Sequence, residues 1–147
     1  MLTTKATPTI QPTSSLKVRK AILAANGLFL AVMGGSFAIF DLLSYFFGAG
    51  PLGQMVYQQG LAVGLFEAHG LALILGVLLL WAARNEPRPL WHLTGGSVHL
   101  LLGTSNLLFW AFIVEQDAVA AEIVITSIHW LFVLAHLFCL WKARSEE

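Results

Sequence analysis

The sequence predicts an all-α integral membrane four-helix bundle, and three observations predict it. Hydrophobic residues make up 57% of the chain and charged residues 11%, and the mean hydropathy of +0.76 does not suit a surface that faces water. The charges are also widely spaced. Lys20 to Asp41, Asp41 to Glu67, Arg88 to Glu115 and Glu122 to Lys142 each enclose about 20 or more mostly apolar residues, enough to cross roughly 30 Å of hydrocarbon as a helix. Finally, the polar residues inside these stretches recur at helical spacing.

Residues 1–16 are rich in Thr, Ser and Pro and are expected to form a disordered cytoplasmic tail. A cleavable signal peptide is not expected, because the first apolar run begins late and exceeds an h-region in length. The transmembrane domain is placed at 17–147. Its first helix, about Ala21–Phe47, carries Gly27, Gly34 and Asp41 seven residues apart, nearly two turns, so the three share a face. An uncharged Gly/Pro loop leads into the second helix, about Val56–Trp81, which holds Glu67 and His69. The third, about Leu90–Val114, repeats the seven-residue spacing in His92, His99 and Asn106, beside Gly95, Gly96 and Gly103. The fourth, about Ala118–Trp141, repeats it again in Glu122, His129 and His136. Small and polar stripes belong at helix–helix contacts in a membrane, so these faces are expected to point into the bundle.

All eight Lys and Arg lie in the N-terminal lead, around Arg84 and Arg88, or at Lys142 and Arg144. The positive-inside rule then puts both termini in the cytoplasm of a cell membrane, the bacterial inner membrane, with Trp81, Trp91 and Trp141 at the inner interface. A shift of 60 positions lays the second helix on the fourth, matching His69 with His129, Trp81 with Trp141 and Arg84 with Arg144. Two parallel helical-hairpin repeats would produce that match, as would interfacial anchoring alone.

Counting about 1.5 Å per residue from the inner ends places His99 and His136 at roughly 8–14 Å, and Asn106, His129, His69 and Glu67 at roughly 18–24 Å. The side chains of the inner pair are expected to approach each other inside the bundle. Glu67 and His69 lie about 200° apart around the helix, so they cannot both aim at one point. A charged carboxylate at that depth costs a few kcal/mol, so Glu67 is expected to be neutral, or paired with His69 or His129. His92, near the interface, is expected to be solvated.

Three chemistries compete for these side chains. One haem b could use two imidazoles at one depth, His99 with His136 or His69 with His129, but the close packing implied by the glycines favours a proton relay over a haem at His99 and His136. A metal site is not predicted, since no HxxxH or ExxH spacing supports one. A proton or quinone site asks only for titratable groups beside an apolar cleft and is the best met. Phosphate-binding loops, cysteine metal motifs, nucleophile elbows and nucleic-acid-binding basic patches are lacking, and the single Cys139 excludes an internal disulfide.

The basic lead Lys17–Lys20, the first-helix run GLFLAVMGG, the uncharged FFGAGPLG loop and the HGLALILG of the second helix together resemble the small bacterial DoxX-like four-helix membrane proteins. The resemblance implies a four-helix bundle and a subunit or binding component of a membrane quinone oxidoreductase, with the five histidines outside the shared pattern. Proton-coupled transport by a channel-forming oligomer, and a structural or assembly role, are the alternatives. The expected partners are the lipid bilayer and other membrane subunits or further copies of the chain, not nucleic acid.

Overall fold

A computed structural model describes residues 14–145. Every regular element among them is helical: α1 (Ser14–Phe47), α2 (Gly53–Val56), α3 (Leu61–Asn85), α4 (Pro89–Leu108), α5 (Trp110–Glu115) and α6 (Val119–Arg144). Three of these, α1, α3 and α6, are long and apolar enough to cross a membrane. The 20-residue α4 has the length, but His92, His99 and Asn106 hold its apolarity below theirs.

Element boundaries differ from expectation at both hairpins. No proline follows Pro12 in the basic lead, so α1 starts at Ser14 rather than Ala21, and residues 14–16 of the expected tail are helical. The rest of that tail lies outside the described residues. Four residues of the first loop form the short α2, delaying α3 to Leu61 and letting it run on to Asn85. The third expected helix is interrupted at Phe109 (φ −100°, ψ 26°), after which α5 buries Ile113 and carries the chain across to α6.

The helices pack as two pairs, α1 along α3 and α4 along α6, and the pairs meet where α1 touches α6 and α4. Glycines set the first contact. A Cβ added at Gly27 would sit 2.8 Å from the Gly76 carbonyl oxygen, and one at Gly34 would sit 2.6 Å from the Leu73 backbone nitrogen and 2.7 Å from the His69 oxygen. The two backbones therefore touch, with Leu23, Leu30, Leu79 and Ala82 filling the remaining space.

Burial is the reverse of a water-soluble bundle. Leu71, Leu101, Leu108, Leu131 and Trp141 are more than 60% exposed, while Asn26, Asp41, Ser44, His92, His99 and His136 are at most 1% exposed. Removing apolar side chains from water cannot drive such an arrangement. Hydrocarbon around the bundle can, because it solvates the leucines and leaves the polar groups to find each other inside. The chain is a membrane protein by this inversion as well as by its three apolar helices.

Candidate functional site

Five polar side chains in the interior form one connected set. His92 and His99 stand two turns apart on α4, and His136 and His129 stand two turns apart on α6. Because the two helices run in opposite directions, His92 meets His136 (Nδ1 to Nδ1, 3.0 Å) and His99 meets His129 (Nδ1 to Nδ1, 2.8 Å). Asn26 of α1 joins the two pairs: its Oδ1 lies 2.7 Å from His99 Nε2, and its Nδ2 lies 2.6 Å from His136 Nε2.

The amide fixes the polarity of the whole chain. Asn26 Nδ2 donates, so His136 Nε2 accepts and its proton sits on Nδ1, from which it donates to His92. Asn26 Oδ1 accepts, so His99 donates from Nε2 and receives at Nδ1 the Nδ1 proton of His129. The five side chains form a directed series of donors, His129 to His99 to Asn26 to His136 to His92. His99, His136 and His92 each accept at one ring nitrogen, which is the neutral form of the imidazole. One ring nitrogen at each end remains, Nε2 of His129 and Nε2 of His92, and the latter is buried without a partner among the described residues.

Local packing holds the series in place. Gly95 leaves room for the His136 ring and the Asn26 amide, since a Cβ there would come within 2.7 Å of one and 2.9 Å of the other. Phe132 stacks on His99 with centroids 4.7 Å apart and planes 21° from parallel, and Phe29 tilts against the same ring. Aromatic walls of this kind keep water and lipid headgroups off the hydrogen bonds.

A second polar pair lies toward the other end of the bundle. Asp41, at the end of the α1 stripe, accepts a hydrogen bond from His69 Nδ1 of α3 at 2.6 Å, and its other oxygen has no partner among the described residues. Asn106 of α4 donates to Glu122 Oε2 and to Thr126 Oγ1 of α6, both at 3.0 Å. Between the helix pairs, a cavity of about 330 Å³ is lined by His69, Asn106, Glu122 and His129 among apolar residues such as Phe29, Met33 and Phe37.

Several expectations for individual residues are corrected by this geometry. His99 and His136 come together inside the bundle, but they share no hydrogen bond and instead hold opposite ends of one amide. His92 is not solvated but fully buried against His136. Glu67 does not reach His69, His129 or Asn106: it is exposed on the outward side of α3, and Asp41 takes its place beside His69. His99 and His136 hold one amide between them rather than an open slot, and the imidazole pairs that do form have nitrogens at 2.8 and 3.0 Å, short of the roughly 4 Å that two bonds to iron require. Among the described residues, no three His, Cys, Asp or Glu side chains converge as metal ligands would.

Asn26 is the functional residue that the sequence analysis missed. An amide in the middle of an apolar span is as conspicuous as a histidine there, but it adjoins Gly27, whose stripe claimed the face.

No protein-family description, curated protein or solved structure matches this chain. The site therefore stands on its own geometry.

Proposed function

We propose that the protein is the quinol-binding subunit of a membrane redox system, with α4 as the fourth span, both termini cytoplasmic and the described cavity as the headgroup site. The observation that carries this reading is the directed series of hydrogen bonds that starts at the cavity wall. His129 donates a hydrogen bond from Nδ1 to His99, and His69 donates one from Nδ1 to Asp41. Each ring then offers an Nε2 lone pair, an acceptor suited to a hydroxyl. A quinol carries two hydroxyls at opposite ends of a flat apolar ring, and a cavity of about 330 Å³ is of the size that takes one.

Oxidation of a bound quinol to the quinone releases two protons and two electrons. One proton passes to the His129 end of the ladder and the other to the His69–Asp41 pair, whose buried carboxylate stabilises the imidazolium that forms. The electrons leave to a redox partner subunit, because this chain has one cysteine and no cofactor motif of its own. The DoxX-like resemblance supports the same class of assembly, and the exposed Glu67 supports a covering subunit or second copy on that side of α3.

Equilibrium binding of a short-chain quinol to the protein in nanodiscs tests the proposal. His129→Leu and His69→Leu should each weaken binding about tenfold, the value of one lost hydrogen bond to a polarised group. Asn26→Leu lines no part of the cavity and should leave binding intact while slowing proton release during oxidation by the partner. Binding that ignores His129 and His69 would remove the site from this cavity.

A further inference from the structure

We infer a second binding site, for a phosphate group, where α1 begins and α6 ends. A cavity of about 190 Å³ lies between these helices, walled by Val18 and Phe138 and edged by Ser15, Arg19, Lys142 and Ser145. Two cationic side chains from opposite ends of the sequence meet there, and no Asp or Glu among the described residues lines it.

The polar groups have capacity to spare. Arg19 spends one terminal nitrogen on the Pro87 carbonyl oxygen, which orients the guanidinium, but its Nε is buried without a partner among the described residues. Ser15 Oγ, one turn earlier on the same helix, is buried and unpartnered as well. Lys142 is held over the Trp141 and Phe138 rings, its Nζ 5.3 and 6.0 Å from their centroids, so its charge is confined to the cavity mouth. Unmet donors beside two fixed positive charges call for an anion with several acceptor oxygens.

A phosphate meets that demand better than a carboxylate, because its oxygens spread in three dimensions and can take Arg19 Nε, Ser15 Oγ and Lys142 Nζ together. The interfacial aromatic Trp141 and the apolar walls leading from the mouth add the surroundings of a phospholipid headgroup, with its acyl chains running down the outer face of the bundle. A soluble phosphate presents the same oxygens. This inference does not depend on the quinol reading, since its residues make no hydrogen bond with the histidine ladder and line no part of the cavity beside it.

The test is titration of the delipidated, detergent-solubilised full chain, followed by native mass spectrometry, with phosphatidylglycerol, phosphatidylcholine and, in a separate arm, inorganic phosphate. The expected result is one bound phosphatidylglycerol, held about tenfold more weakly by Lys142→Gln and Ser15→Ala and unchanged by Arg84→Gln, an exposed cation at the same end of the bundle. Phosphate binding with the same dependence on Lys142 and Ser15, and no lipid adduct, keeps the site and makes its ligand soluble. A loss in Arg84→Gln equal to that in Lys142→Gln, or binding indifferent to all three substitutions, would overturn the inference.

Discussion

Replacing Asn26 by alanine tests the central joint of the bundle. The side chain is fully buried and makes two hydrogen bonds, to His99 and to His136, both across helices. An interhelical hydrogen bond in a membrane contributes about 0.6 kcal/mol on average and about 1.7 at most, so two contribute about 1.2–3.4 kcal/mol. The loss should sit near the upper end, because neither imidazole nitrogen can turn to water or to another side chain once the amide is gone. Reversible unfolding in mixed detergent micelles, followed by circular dichroism, measures it. A double-mutant cycle with His99→Ala isolates one of the two bonds and should return about half of the total as coupling energy. A destabilisation under about 0.5 kcal/mol, or a cycle that closes with no coupling, would refute the assignment of Asn26 as the link between the helix pairs.

Four other outcomes are expected. Gly34→Ala, whose Cβ would press on the backbone of α3 at 2.6 Å, should cost about 1–3 kcal/mol by overpacking, whereas Gly64→Ala, with nothing within 4 Å, should be neutral or stabilise by up to about 1 kcal/mol; the same unfolding assay compares them. Nitrogen-15 chemical shifts of labelled histidine should show the proton on Nδ1 of His129 and His136 and on Nε2 of His99 and His92, and a uniform tautomer would break the directed series. Asp41→Leu should destabilise the protein more than Asp41→Asn, which keeps an acceptor for His69; equal losses by thermal melting would deny the pair a structural part. A reporter fused after Glu147 should remain in the cytoplasm and one inserted in the Gly48–Gln59 segment should be exported; alkaline phosphatase activity at the two positions decides it.

What the sequence made legible follows from what periodicity encodes. Spacing by seven identified the inward faces of α1, α4 and α6, because facing depends on the local repeat alone and not on where a helix begins. Partner choice depends on register between helices, and there the depth count misled. The positions of His92 and His136 add to the same total as those of His99 and His129, the signature of two antiparallel helices in fixed register. Pairing by estimated depth from uncertain helix ends joined His99 to His136 instead. Glu67 shows a different limit: depth carries no direction around the axis, and of two residues about 200° apart only one could face inward. Asp41, buried at the end of the glycine stripe, decided in favour of His69. The break at Phe109 has neither proline nor glycine to announce it.

The Asn26 amide gives the ladder a direction that imidazoles alone could not give it, because its nitrogen only donates and its oxygen only accepts. Reversing the series would require every member to exchange donor for acceptor. Imidazoles do so by turning or exchanging tautomers, but an amide must rotate so that its oxygen and nitrogen trade places. Space for that rotation exists only because residue 95 has no side chain, with the amide nitrogen 2.9 Å from where a Cβ would stand. Enlarging the smallest residue beside the ladder should therefore hold its hydrogen bonds in a single orientation.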